Sequence, residues 1–238
     1  MPRYGAPFGV FPAPAPTLPV DLVAYWEMEG ASGATEVDAH GANDLTDVNT
    51  VGSATGKVGN SREFTTATDN RLIRTDNTDL SIGGEISFTF AFWFNLKDTG
   101  VGGFISKYGS AGNREYLIYQ SSGTLQFLAS ADGTAVTSVL GDPVLSASTW
   151  YFCVAYYDAV ADTINVQIND GTIASQSHTG GVFDSGSTFM LGNELTVVGG
   201  TDAYLDEVGF WKRTLTSDEK TWLYNSGTGR TYAEVAAH

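Results

Sequence analysis

Basic residues are scarce in this chain: 12 Lys and Arg stand against 27 Asp and Glu, a formal charge of −15. Nowhere do the few cations gather into a patch. A surface of that sign repels phosphate backbones and anionic lipid, so neither nucleic acid nor a membrane is an expected partner. Cysteine is scarcer still. The single one, Cys153, has no internal disulfide partner, and its place in the apolar run Trp150-Tyr151-Phe152-Cys153-Val154-Ala155 reads as a small core hydrophobe. The three histidines, His40, His178 and His238, lack the paired spacing of a metal site, and there is no Gly-x-Ser-x-Gly elbow. His178 stands among Ser177, Thr179, Gly180 and Gly181 and is expected in a solvent loop. No apolar run approaches a membrane span, the first residues lack the basic and apolar regions of a secretory leader, and no Asn-x-Ser/Thr sequon occurs. The expectation is a protein not exported by that route, unless a leader has been removed.

Proline all but disappears after residue 19. Six of the seven are Pro2, Pro7, Pro12, Pro14, Pro16 and Pro19. Proline fixes φ and removes a donor, which excludes a central strand and favours polyproline II. Residues 1–20 are therefore expected to form an extended arm, whose first nineteen residues reach roughly 60 Å at about 3.1 Å each. Tyr4, Phe8 and Phe11 are its expected anchors on a neighbouring subunit, because aromatics bury much area for little rotamer entropy.

Residues 21–238 read as one domain, a length at which a single β-sandwich can bury roughly 70–75% of its unfolded surface. Short runs of aromatic and β-branched residues alternate with Gly, Asn, Asp and Ser, the punctuation of strands. Ile164, Val166 and Ile168 alternate with polar neighbours ahead of Asp170-Gly171, a hairpin turn signal. Ile86, Phe88, Phe90, Phe92 and Phe94 share one face of a central strand, with Trp93 on the other. Further strands are expected at 22–27, 71–74, 103–107, 115–120, 124–130, 150–157, 172–177, 188–192 and 203–211. Trp93 and Trp150 are expected in the core. Thr216-Ser217-Asp218-Glu219 is a capping box, and Asn225-Ser226-Gly227 supplies a stop, so one short C-terminal helix is expected between them. The fold class is all-β, a two-sheet antiparallel sandwich.

Five segments carry a resemblance: Leu22-Val23-Ala24-Tyr25-Trp26, Gly56-Lys57-Val58-Gly59-Asn60 before Phe64, Ser87-Phe88-Thr89-Phe90-Ala91-Phe92-Trp93, Trp150-Tyr151-Phe152, and Leu205-Asp206-Glu207-Val208-Gly209-Phe210-Trp211. Leu223-Tyr224-Asn225-Ser226-Gly227 adds a sixth. In this order, over residues 20–232, they resemble the concanavalin A-like lectins and glucanases, and within them the laminin-G-like jelly-roll domains. The resemblance implies two antiparallel sheets stacked as a jelly roll.

Glucanases of that superfamily use carboxylates in a Glu-x-Asp-x-x-Glu or Glu-x-Asp-x-Glu spacing, a nucleophile and an acid flanking the scissile bond. Glu36-Val37-Asp38 is the nearest approach here. It lacks the third carboxylate and lies in a stretch broken by Gly33, Gly41, Asn43 and Asp44, so no catalysis is expected. The resemblance also implies a Ca²⁺ ion where the opening segment meets the last strand, held by Asp206 with loop oxygens from Glu29, Asp38, Asn43 and Asp44. Lectins of this kind bind sugars on aromatic and amide side chains, for which Tyr108, Asn113, Arg114, Tyr116, Tyr119 and Tyr157 are the candidates. Two functions stay open. One is a virion surface protein, a capsid decoration or tail part, whose arm locks onto other virion subunits or a second copy and whose sandwich attaches to glycan. The other is a carbohydrate-binding lectin or accessory module, secreted and without a virion role.

Overall fold

A computed structural model describes residues 17–238 apart from Leu195 and Val197. Tyr4, Phe8 and Phe11 lie outside the described residues. The strands in chain order are β1 (Leu22–Trp26), β2 (Thr46–Val48), β3 (Gly52–Thr55), β4 (Asn60–Phe64), β5 (Arg71–Arg74), β6 (Phe88–Leu96), β7 (Gly102–Tyr108) and β8 (Arg114–Ser121). There follow β9 (Thr124–Ala129), β10 (Thr137–Leu140), β11 (Trp150–Asp158), β12 (Thr163–Ile168), β13 (Ala174–Ser177), β14 (Phe189–Leu191) and β15 (Ala203–Trp211). They form two antiparallel sheets. The first runs β13-β12-β11-β6-β15-β4-β3, with β1 also pairing β15, and the second runs β10-β9-β8-β7-β14-β5-β2.

The alternation in β6 builds the core. Phe88, Phe90, Phe92 and Phe94 are fully buried between the sheets, and Phe90 stacks on Phe210 of β15 with centroids 4.4 Å apart. Tyr116 and Tyr157 belong to this core too, and Cys153 is buried there as expected. Strands β2, β3, β4 and β10 went unforeseen because Thr-Asp-Val, Gly-Ser-Ala-Thr, Asn-Ser-Arg-Glu-Phe and Thr-Ser-Val-Leu are short and carry little apolar alternation. The hairpin after β12 turns one residue earlier than expected. Asn169 and Asp170 take the left-handed conformation, at φ 51° and 57°, and Gly171 N donates to Ile168 O at 2.9 Å, the arrangement of a primed turn.

A second apolar layer lies on the outer face of the first sheet, where Trp93, Phe152, Trp211, Leu223 and Val235 pack together. The expected helix α1 (Ser217–Tyr224) covers it. Both halves of its capping box form between Thr216 and Glu219, and Asn225 ends it in the left-handed conformation. A second short helix, α2 (Tyr232–Ala237), was not expected, although Thr231 and Glu234 form a capping box of their own. The folded body also begins earlier than residue 21. Leu18 is fully buried in this layer, its carbonyl accepting from Trp211 Nε1 at 2.7 Å, and Arg213 Nε donates to Val20 O at 2.8 Å.

Candidate functional site

The expected cation ligands fall into two groups. Asp206 and Glu29 meet at the turn 56–60. Asp206 Oδ2 accepts from Lys57 N at 2.6 Å and Val58 N at 2.9 Å, while Glu29 accepts from Asn60 N at 2.8 Å and Asn60 Nδ2 at 2.7 Å. Glycine is required here, since a Cβ on Gly56 would overlap the Asn60 carbonyl and one on Gly59, at φ 62°, would overlap the Glu29 carboxylate. Asp38 and Asn43 belong to a separate loop. Asp38 Oδ1 accepts from Tyr25 N and His40 N, and its Oδ2 from Asn43 N; the Asn43 side-chain oxygen accepts from Asn77 Nδ2 at 2.9 Å. Among the described residues, no group of three or more His, Cys, Asp or Glu side chains could hold a metal ion.

Charge is nevertheless poorly compensated around Asp206. The strand bulges between Asp206 and Gly209, Glu207 sits at φ 48°, and both acids are buried. Burial pushes Asp206 up to about 7, against its backbone hydrogen bonds and with Glu29 adding repulsion. Glu207 is pushed up to about 9 by burial, with Asp206, Glu27 and Glu29 adding to it and the Tyr25 hydroxyl opposing. Asp206 Oδ1 and Glu207 Oε2 have no hydrogen-bond partner among the described residues. Hard cations take carboxylate and carbonyl oxygens; of the expected set, Asp206 Oδ1 is left without a partner among the described residues, while both oxygens of Glu29 already accept from Asn60. Asp38 and Asn43 do not join Asp206.

Glu36 and Asp38, the nearest approach to a glucanase pair, are both buried. Glu36 faces Arg62 at 3.5 Å, and burial pushes its carboxyl up to about 7 against that cation. Both oxygens of Asp38 are occupied by the three backbone N–H groups already described.

The expected sugar residues are dispersed by the fold. Tyr116 is fully buried in the core and its hydroxyl donates to Leu80 O at 2.8 Å, so no surface remains for a ligand, and Tyr157 is likewise inside. Tyr108 is buried against Leu117 and Leu128 on the outer face of the second sheet, with the Arg114 guanidinium over its ring at 5.4 Å. Asn113 is exposed. His178 is buried rather than in solvent, because both ring nitrogens find partners. Nε2 meets Gly181 O at 2.9 Å, which as a carbonyl only accepts, so Nε2 carries the proton and Nδ1 accepts from Thr137 Oγ1 at 2.9 Å.

One aromatic surface was missed. Trp150 pairs across the strands with Asn95, and Asn95 with Tyr204, which pairs in turn with Glu63. Side chains directly opposite share a face, so these four form a row over β11, β6, β15 and β4. The next row, Trp93 and Phe152, lies under α1, where Tyr224 stacks on Trp93 at 5.8 Å. Trp150, Asn95 and Tyr204 are only partly buried, which moves Trp150 out of the core expected for it. Its ring is 6.4 Å from that of Tyr204, at 42°. Alternation with Ala203 and Leu205 puts Tyr204 outside; its meeting with Trp150 depends on register, which no local pattern carries.

Residues 67–219, more than half of the chain, match the Laminin_G_3 family, described as the concanavalin A-like lectin/glucanases superfamily. The chain belongs to this superfamily. No curated protein matches it. Among solved structures, this superfamily member is similar to the binding domain of Paraclostridial Mosquitocidal Protein 1, with TM-score 0.72 at 15% identity over 88% of this chain and 53% of that one. It is similar to the botulinum neurotoxin serotype D binding domain, with TM-score 0.67 at 11% identity over 88% and 52% of the two chains. A botulinum neurotoxin type C structure, described as dependent for cell entry on interaction with two ganglioside molecules, matches with TM-score 0.67 at 14% identity over the same shares. The chain spans about half the length of these structures. At such identities the likeness is one of fold alone.

Proposed function

We propose that the chain is a non-catalytic attachment module, a lectin-like sandwich that binds glycan and is fixed by its N-terminal arm to a neighbouring subunit, on a virion surface as capsid decoration or tail. The observation that carries the non-catalytic part is the state of Asp38. A retaining glycosidase needs a carboxylate free to attack and a second to protonate the leaving group. Here both oxygens of the would-be nucleophile are committed to backbone donors. Similar solved structures, one a toxin binding domain and one a neurotoxin whose cell entry depends on interaction with two ganglioside molecules, support the reading. A cation at Asp206 and Glu29 is part of the proposal, as a brace for the turn 56–60. The test is incubation of the full chain with β-glucans and galactans. No release of reducing ends is expected; turnover that Asp38→Asn or Glu36→Gln abolishes would overturn the non-catalytic reading.

A further inference from the structure

We propose that the row Trp150, Asn95, Tyr204 and Glu63 on the outer face of the first sheet is a binding site for an uncharged, gluco-configured oligosaccharide. This rests on the attachment reading and gives it a place and a ligand class. The row crosses four neighbouring strands, about 14 Å at roughly 4.8 Å per strand spacing, a length suited to a few sugar rings. On either side of Asn95 stands an aromatic ring that is only partly buried. The apolar C–H face of a pyranose with equatorial hydroxyls packs on such a ring, and the ring has little conformational freedom to lose on binding.

Between the rings lies an amide with an unspent acceptor. Asn95 Oδ1 is buried and has no hydrogen-bond partner among the described residues, a condition that costs free energy until a donor arrives. A sugar hydroxyl is such a donor. The border of the row is polar but neutral. Lys97 Nζ pairs with Glu63 Oε1 at 2.7 Å and lies 5.7 Å over the Tyr204 ring, so donor and acceptor groups are both at hand and the cation of the row is spent on Glu63. The chain's charge of −15 acts in the same direction, against anionic ligands. The rings are tilted 42° from one another, which fits a single twisted chain and not the flat face of a crystalline polysaccharide.

The test is calorimetric titration of the full chain with cellohexaose, laminarihexaose and, as an α-linked comparison, isomaltohexaose. Saturable binding of at least one hexaose is expected, weakened tenfold or more by Trp150→Ala and by Tyr204→Ala, retained by Trp150→Phe, and unchanged by Leu140→Ala at an exposed position of the second sheet. Tyr204→Ala removes an edge of the row without touching the helix-covered layer, so the test survives if Trp150→Ala fails to fold. Binding that both row variants leave intact would overturn this site while leaving glycan attachment in place elsewhere. Absence of binding to every hexaose would overturn the ligand class, and the attachment reading would then be judged on whether the chain associates with particles.

Discussion

Single residues in this fold are governed by whether a buried polar atom has found its partner. His178 has found both. Burial holds its pKa below the usual 6.5, with the Gly181 carbonyl and Asp162 opposing, and the Tyr157 ring meets it edge-on at 5.5 Å. A histidine depressed in the folded state binds its proton more readily when unfolded. Its contribution to stability is therefore complete above pH 6.5 and is lost as pH falls from there towards the folded value. Glu207 has the opposite sign, being pushed up to about 9, so the histidine must be isolated by difference. Melting temperatures of the wild type and His178→Gln are expected to keep a constant gap above pH 7 and to converge below about pH 6.5. A gap independent of pH would show that His178 is not the titrating group. Asp206 has an oxygen without a partner. If a cation supplies it, Ca²⁺ stabilises the native state by about 2.7 kcal/mol at a hundredfold excess over Kd. Ca²⁺ is expected to raise the melting temperature and Asp206→Ala to remove the response; identical melting of metal-free protein with and without Ca²⁺ would eliminate the site.

Among the elements, those with a strong local pattern were legible and those without were not. β6 and β12 are written in apolar alternation, and α1 in its capping box and left-handed stop. β2, β3, β4 and β10 exist because neighbouring strands offer them hydrogen bonds, and that is a property of the assembled sheet. The candidate sites divide in the same way. The turn 56–60 around Asp206 could be anticipated from Gly56, Gly59 and the acids near it. Tyr116 and Trp150 were exchanged between surface and core because aromatics look alike in sequence and only register decides which face they take. Trp93 illustrates the other half of that lesson. It points away from the phenylalanines of its own strand, yet it is buried, because α1 returns to cover it. Trp93→Ala is expected to cost about 3–5 kcal/mol, measured by denaturant unfolding, and to loosen α1 by removing the Tyr224 stack. Wild-type stability in this variant would mean that the outer layer contributes little to the fold.

For the whole molecule, the decisive question is where the sandwich ends and the arm begins, because the assembly proposal depends on separating the two. Leu18 is buried against the outer layer and closes the Trp211 indole N–H, so a cut after residue 20 removes part of the fold together with the arm. A cut after residue 16 leaves these contacts whole. The chain lacking residues 1–16 is expected to melt as the full chain does, whereas the chain lacking residues 1–20 loses a fully buried leucine and should be less stable by about 2–5 kcal/mol. Association then reads on the arm alone. In size measurements at equal concentration, the full chain should form oligomers or join particles, and the 17–238 chain should remain a folded monomer. Should the shorter chain associate as tightly as the longer one, Tyr4, Phe8 and Phe11 are not the anchors, and the contact surface must lie on the sandwich. The row of Trp150 and Tyr204 would then be the first place to look, and the same two alanine variants would decide it.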